Sequence, residues 1–231
     1  MSRIARRRVP GLFISGTDTE VGKTYVASQI ARQLSADGMR VGVYKPVASG
    51  AVVVDDRLVS QDAQALWEAA GRPGTLERVC PQVYQAPLAP HLAARQAGRE
   101  VDAQLLRDGL DYWLSESDVI LVEGAGGLMT PVADETYVAD LAFEFKFPLV
   151  IVAPNQLGVI NQTLQTLMTA AAYRDGIPVR GVVLNDVRVR SDDTSVTSNR
   201  AELDRRCTCP VLAHVSHGAE RLDHVVDWLG G

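Results

Sequence analysis

One glycine-bounded stretch, Gly16-Thr17-Asp18-Thr19-Glu20-Val21-Gly22-Lys23-Thr24, constrains this chain more than any other feature. The short apolar run Leu12-Phe13-Ile14 stands immediately before it, and residues 25–34 after it carry apolar side chains at helical spacing. The glycines therefore lie between a buried strand and a helix. That is the setting of a phosphate loop. Successive backbone N–H groups at a helix N-terminus converge on one point with the positive end of the helix dipole behind them. Lys23 adds a mobile cation and Thr24 a hydroxyl for Mg²⁺. Five residues separate Gly16 from Gly22, one more than in the common motif, so this is a lengthened variant of the P-loop. The same glycines would serve a tight strand-to-helix turn with a solvated lysine, but the flanking strand and helix favour the phosphate reading.

The rest of the chain alternates strand and helix patterns. Residues 12–15 read as a strand, 23–36 as a helix stopped by Gly38, and 40–44 as a second strand. A loop from Pro46 through Asp55-Asp56 leads to a helix over 62–70, after which Gly71-Arg72-Pro73-Gly74 breaks the chain. Pro81, Pro87 and Pro90 mark a surface excursion, followed by helical patterns at 91–96 and 102–115. Val119-Ile120-Leu121-Val122 is a continuous apolar run, hence a strand buried on both faces, and it ends at Glu123-Gly124-Ala125-Gly126-Gly127. Strands at 149–152, 179–184 and 211–212 repeat that pattern, with helices expected over 158–173, 198–205 and 219–229. The alternation predicts an α/β fold of the P-loop NTPase type, a largely parallel sheet with helices on both faces. With 231 residues, 46% of them hydrophobic, and no linker or repeat, a single domain over 11–231 is expected behind a flexible extension at 1–10.

Charge and cysteine usage narrow the function classes. A net charge of −5 gives no general footprint for nucleic acid, and the one basic cluster, Arg3, Arg6, Arg7 and Arg8, reads as a solvated end. No apolar stretch reaches transmembrane length and the start of the chain lacks the apolar core of a secretion signal, so neither membrane nor export is expected. Among the three cysteines, Cys207-x-Cys209 lacks a second ligand pair, and free thiols in a reducing cytoplasm are the expectation.

In open α/β sheets ligands bind beyond the carboxyl ends of the strands, so residues just after each apolar run are candidates. Lys45 follows the second strand and leaves its cation at that edge, as a solvated lysine also would. Glu123 follows the most apolar strand, where a carboxylate can hold Mg²⁺ directly or through water, or simply cap a loop. Asp62 competes with Asp55 and Asp56 for a similar role, and an Asp before an apolar periodic run also suits an N-cap. Asn185 can read a base edge with its amide, although Asn before Asp is ordinary turn chemistry. The helix starting at Gly158-Val159-Ile160-Asn161 has no acidic residue in its first turn and can receive a carboxylate.

Taken together, these segments resemble dethiobiotin synthetase of the biotin pathway. The resemblance rests on GTDTEVGKT at 16–24, YKPVASG at 44–50, Asp62 in a QDA context, Pro90-His91, VEGAGG at 122–127, LGVIN at 157–161 and Asn185-Asp186, all in the family's order. It spans residues 11 to 187. Family members often carry a proline near the adenine after the last strand, where this chain reads Leu212-Ala213-His214-Val215-Ser216-His217.

The resemblance implies an ATP- and Mg²⁺-dependent ring closure in which 7,8-diaminononanoate and CO₂ give dethiobiotin, ADP and phosphate. An amine captures CO₂ as a carbamate, ATP turns one carbamate oxygen into a phosphate leaving group, and the second amine closes the ring. Such chemistry needs positioning and charge neutralisation rather than a nucleophile–His pair. By the same resemblance Asp18, Thr19, Glu20, Val21, Gly22, Lys23, Thr24 and Tyr25 hold the nucleotide phosphates, with Lys23 spanning the β- and γ-groups, and Asn185 contacts the purine. Thr24, Asp62 and Glu123 form the Mg²⁺ shell. Lys45 stabilises the carbamate and mixed anhydride, helped by Thr19 and Ser49, and Gly126 lies against the substrate. The substrate tail meets Gly158, Val159, Ile160 and Asn161 of a neighbouring subunit, which implies a cytoplasmic homodimer. His91 receives no role.

Two other classes share parts of this pattern. A partition-type ATPase carries a second lysine near the start of the loop, where this chain has Thr17, and its terminal surface helix is basic, whereas residues 219–229 are acidic. An amide-forming synthase related to cobyrinate amidation normally brings a glutaminase domain with a nucleophilic Cys, for which this chain is too short.

Overall fold

The structure is a computed structural model that describes residues 9–188 and 192–230. The arginine cluster at 3–8 lies outside the described residues. In chain order the elements are β1 (Gly11–Gly16), α1 (Lys23–Ala36), β2 (Val41–Tyr44), β3 (Val52–Val54), β4 (Arg57–Val59), α2 (Gln61–Ala69), α3 (Leu76–Val79), α4 (Pro90–Gln96) and α5 (Leu105–Glu116). There follow β5 (Val119–Gly127), β6 (Pro131–Ala133), β7 (Thr136–Tyr137), α6 (Val138–Phe145), β8 (Leu149–Pro154), α7 (Val159–Ala172), β9 (Val179–Asn185), α8 (Asn199–Arg206) and β10 (Val211–Val215).

Six strands form one sheet in the order β10-β9-β8-β1-β5-β2, and every pairing in it is parallel. The central strands are buried along their length because both faces of a parallel sheet are covered, which is why they read as unbroken apolar runs. Leu12, Phe13 and Ile14 of β1 pair with Leu121, Val122 and Glu123 of β5, all buried. The chain moves one way across the sheet through α1 and the other way through α7 and α8. Right-handed crossovers put these on opposite faces, and α7 and α8 pack against each other while α1 packs against α2. The direction reverses about β1, so the crevice beyond its carboxyl end is the topological switch point where such sheets bind ligands.

Three features depart from the sequence reading. Val52–Val54 and Arg57–Val59 form an antiparallel hairpin rather than a loop, turned by Asp55 and Asp56 with φ of 48° and 59°. Two residues in the left-handed region are what a tight hairpin with right-handed strand twist demands. A second small hairpin, β6–β7, and the short helices α3 and α6 also stand where the sequence showed no periodicity long enough to read. Finally, residues 219–229 are not a helix. Tyr25, Gln29 and Gln33, four apart on one stripe of α1, claim the backbone of this segment instead. The Tyr25 hydroxyl and Gln29 Nε2 both donate to Ala219 O, and Gln33 Nε2 donates to Val226 O at 2.8 Å. Trp228, 1% exposed, donates its Nε1 to Gln33 Oε1 at 3.0 Å. Tertiary hydrogen bonds and the burial of one indole outweigh a helical pattern worth only a few tenths of a kcal/mol per residue, about 0–0.7.

Candidate active site

The loop at 16–24 is shaped by what it cannot hold. Gly22 has φ +86°, and a Cβ there would lie 2.1 Å from Asn185 Nδ2. A Cβ on Gly16 would lie 2.6 Å from Val21 Cγ2 and 2.8 Å from Asp18 O. Glu20, within the lengthened part, also takes a positive φ of 55°. The loop is anchored by Thr17 N–H donating to Val152 O at 3.0 Å and by Asn185 Nδ2 donating to Val21 O at 2.9 Å. Lys23, the first residue of α1, is 8% exposed and donates from Nζ to Asp18 O at 2.9 Å. Burial lowers its pKa, only partly offset by the Glu123 carboxylate, with Lys45 lowering it further.

Beside this loop the ends of β2 and β5 bring a buried charge cluster together. Lys45 Nζ lies 2.6 Å from Glu123 Oε1 and 3.0 Å from Asp62 Oδ2, and Thr24 Oγ1 donates to the same Glu123 oxygen at 2.8 Å. Lys45 and Glu123 are 3% and 1% exposed, whereas Asp62 is 53% exposed and opens the cluster to ligand. Burial alone would push the Lys45 ammonium toward neutrality, but Glu123 and Asp62 together outweigh it and hold its pKa above the ordinary value. Two carboxylate oxygens within 3.0 Å thus favour the charged form of Lys45. Burial likewise raises the Asp62 pKa, yet Lys45 wins and holds it below the ordinary carboxylate value. Glu123 Oε2 is buried and has no hydrogen-bond partner.

Of the residues singled out by sequence, Lys23, Thr24, Lys45, Asp62 and Glu123 thus converge on one point. The competing readings of Asp62 fall away: Ser60 is the N-cap of α2, accepting from Ala63 N–H at 3.2 Å, and Asp55 and Asp56 sit in the exposed β3–β4 turn. Asn185, 2% exposed, spends its amide nitrogen on Val21 and leaves its buried Oδ1 without a partner. Gly126 (φ +70°) precedes Gly127, which pairs with Gly16 across β1 and β5. Thr19 is exposed on the loop with its N–H on Asp18 Oδ1 at 2.7 Å, and Asp18, Thr19, Glu20 and Val21 line a cavity of about 190 Å³ with Asn155 and Gln162. Ser49 is half-buried beyond β2, next to Ala48, which bridges to Val83. Tyr25 faces the C-terminal segment. Gly158, Val159, Ile160 and Asn161 start α7, and no hydrogen bond or ion pair among the described residues joins them to the Lys45–Glu123 cluster. Leu157 beside them is 81% exposed, and a Cβ on Gly158 would meet nothing within 4 Å. His91 donates Nδ1–H to Pro131 O at 3.2 Å, away from this cluster. Sequence reasoning passed over Asn155, which lies just beyond β8 and whose side chain joins Asp186 and Asn199. Its position after an apolar run was the available signal.

The family described as "AAA domain" matches residues 10–220. The chain is 43% identical over 214 residues to the ATP-dependent dethiobiotin synthetase BioD of Rhodopirellula baltica, covering 88% of this chain and 82% of that protein. It is 40% identical over 195 residues to the protein of that name from Anaeromyxobacter dehalogenans, covering 84% of each. Among solved structures it is similar to the signal recognition particle receptor FtsY from Elizabethkingia anophelis, with a TM-score of 0.53 at 17% identity over 90% of this chain. The chain spans 59% of that receptor's length, and the likeness bears on the fold alone. A sheet that switches direction at a P-loop, the loop's lengthened form and relatives of this closeness place the chain in the ATP-dependent dethiobiotin synthetase family.

Proposed function

We propose that this protein carboxylates and cyclises 7,8-diaminononanoate with CO₂ and ATP to give dethiobiotin, ADP and phosphate. The observation that carries the reading is the buried Lys45 ammonium, held between Glu123 and Asp62 and one hydrogen-bonded residue, Glu123, away from Thr24 of the phosphate loop. One amine adds to CO₂ and loses a proton, leaving a carbamate whose negative oxygen lies against Lys45. That oxygen attacks the γ-phosphorus, the bond to the β,γ-bridging oxygen breaks, and ADP departs while Lys23 tracks the transferred group. The second amine then attacks the carbonyl carbon and gives up a proton to the phosphate, which leaves with the bonding pair, and the urea ring closes. Thr19 and Ser49 donate to the developing oxyanions and Gly126 leaves room for the substrate. Fixed cations that need no rearrangement stabilise such charge best.

The donor set suits Mg²⁺. It is all oxygen: Thr24 Oγ1, Asp62 and Glu123, whose buried Oε2 lacks a partner. Two carboxylates and a hydroxyl leave positions for waters and phosphate oxygens, as Mg²⁺ sites commonly do. When bound it would neutralise charge on the β- and γ-phosphates. Glu123→Gln and Asp62→Asn are each expected to raise the Mg²⁺ concentration for half-maximal rate about tenfold or more, and an unchanged titration would dismiss that residue as a ligand. Asn185 offers the base its unpartnered Oδ1 as an acceptor, while its amide nitrogen is anchored to Val21 O. ATP and CTP present an amine donor at C6 and C4 respectively, where GTP presents a carbonyl oxygen at C6, and should support turnover better than GTP, compared at saturating diamine. Equal rates would remove Asn185 from base recognition.

The exposed start of α7 receives the carboxylate of the substrate from a partner subunit, so the working form is a homodimer in the cytoplasm. No described helix is long and apolar enough to cross a membrane. Phosphate release from ATP that depends on both bicarbonate and 7,8-diaminononanoate, with a product of dethiobiotin mass, tests the reaction. ATPase activity indifferent to both would overturn it.

A further inference from the structure

The turn that leads into α7 is held by a circuit of side chains that involves neither Lys23 nor Lys45. Asn155, the first residue beyond β8, is 7% exposed. Its Nδ2 donates to Asp186 Oδ1 at 2.7 Å and its Oδ1 accepts from Asn199 Nδ2 at 2.9 Å. Asp186 Oδ1 also receives His214 Nε2 at 2.9 Å, so the ends of three neighbouring strands meet on one carboxylate oxygen. Asn199 Nδ2 reaches Gln156 O and Ser195 Oγ, each at 3.3 Å. Ser195 binds Asp193 Oδ1 through its N–H at 3.0 Å and its hydroxyl at 2.5 Å, and Asp193 Oδ2 accepts Leu157 N–H at 2.9 Å. The circuit leaves the chain at Asn155 and returns to it at Leu157.

What it encloses is the short piece of backbone that sets the direction of the first N–H groups of α7. That piece has little packing of its own. Leu157 is 81% exposed, and Gly158, the N-cap at φ +97°, stands in open space. A helix start aims its N–H groups only as well as the residues before it are fixed. Here side-chain hydrogen bonds do the fixing that apolar contacts do elsewhere.

We infer that Asn155, held between Asp186 and Asn199, is a positioning residue that aims the start of α7 at the carboxylate of the substrate. This rests on the reading given above that α7 receives that carboxylate. Asn155 touches no reacting atom and acts through the orientation of Gly158–Asn161.

The decisive variant is Asn155→Asp, which keeps the shape and replaces the donor facing Asp186 with an oxygen. Two carboxylate oxygens at 2.7 Å with no proton between them repel, and the turn must move. The KM for 7,8-diaminononanoate is expected to rise about tenfold while the KM for ATP stays within about twofold, a loss of one well-made charged hydrogen bond. The double variant Asn155→Asp with Asp186→Asn reverses donor and acceptor, His214 taking its other tautomer, and should restore the diamine KM to within about threefold of the parent. It also keeps the test alive should the single variant fold poorly, with thermal melts run on both. The same vicinal diamine lacking its carboxylate separates the two levels of the argument. If the parent enzyme does not discriminate against it, the α7 reading fails and this inference with it. If the parent discriminates and Asn155→Asp discriminates equally well, or if diamine and ATP KM rise together, the positioning role of Asn155 alone is overturned.

Discussion

Lys45→Ala is expected to lower turnover about a hundred- to a thousandfold, the range seen when one fixed donor to a developing oxyanion is removed. Nucleotide binding should suffer much less, because Lys23 and the loop N–H groups remain. The variant should also be less stable by about 3–5 kcal/mol, since it leaves a carboxylate, Glu123, buried at 1% exposure with its main counter-charge gone. The two effects can be separated. Adding Glu123→Gln to Lys45→Ala removes the uncompensated charge, so the melting temperature should partly recover while turnover does not. Phosphate release measured with bicarbonate and diamine, beside a thermal melt, gives both numbers. A kcat within a few-fold of the parent would show that the ammonium has no part in the carbamate step.

Gly22→Ala is expected to weaken ATP binding about a hundredfold. The new methyl would have to occupy space 2.1 Å from Asn185 Nδ2, and that amide cannot swing aside because it is buried and bonded to Val21 O at 2.9 Å. The clash would open the loop at the point where its N–H groups converge, and the positive φ adds about 1–3 kcal/mol of strain. Gly38→Ala supplies the control. Gly38 has φ +83°, almost the same conformation, but a Cβ there meets nothing within 4 Å. It should cost about 1 kcal/mol of stability and leave ATP binding unchanged. If the two variants bind ATP alike, backbone conformation and not the Asn185 contact explains the glycine.

Much of this protein is legible in its sequence because the information is local. The apolar runs of β1, β5 and β8 read as strands covered on both faces, and the Gly16–Thr24 loop between a strand and a helix reads as a phosphate cradle. The first helix was read as 23–36, which are its observed limits. The candidates Lys45, Glu123 and Asn185 followed from position alone, since each stands where a strand delivers its side chain to the ligand edge. The family resemblance added Asp62, which spacing by itself could not tell from an N-cap or from Asp55 and Asp56.

Only the tertiary structure decided how those residues are wired. Lys45 and Glu123 lie 78 residues apart in the chain, and their 2.6 Å contact depends on β2 and β5 lying side by side, which no local pattern encodes. The same holds for the fate of residues 219–229. Their helical pattern was real, but Tyr25, Gln29 and Gln33 nearly two hundred residues earlier offered the backbone better partners. The Asn155–Asp186–His214 junction joins three strand ends, and each residue looks unremarkable in its own neighbourhood. Sequence fixes which backbone each segment prefers, because that preference is a short-range matter of sterics and apolar spacing. Which charges meet, and which polar groups find partners, is settled by the order in which the strands lie side by side in the sheet.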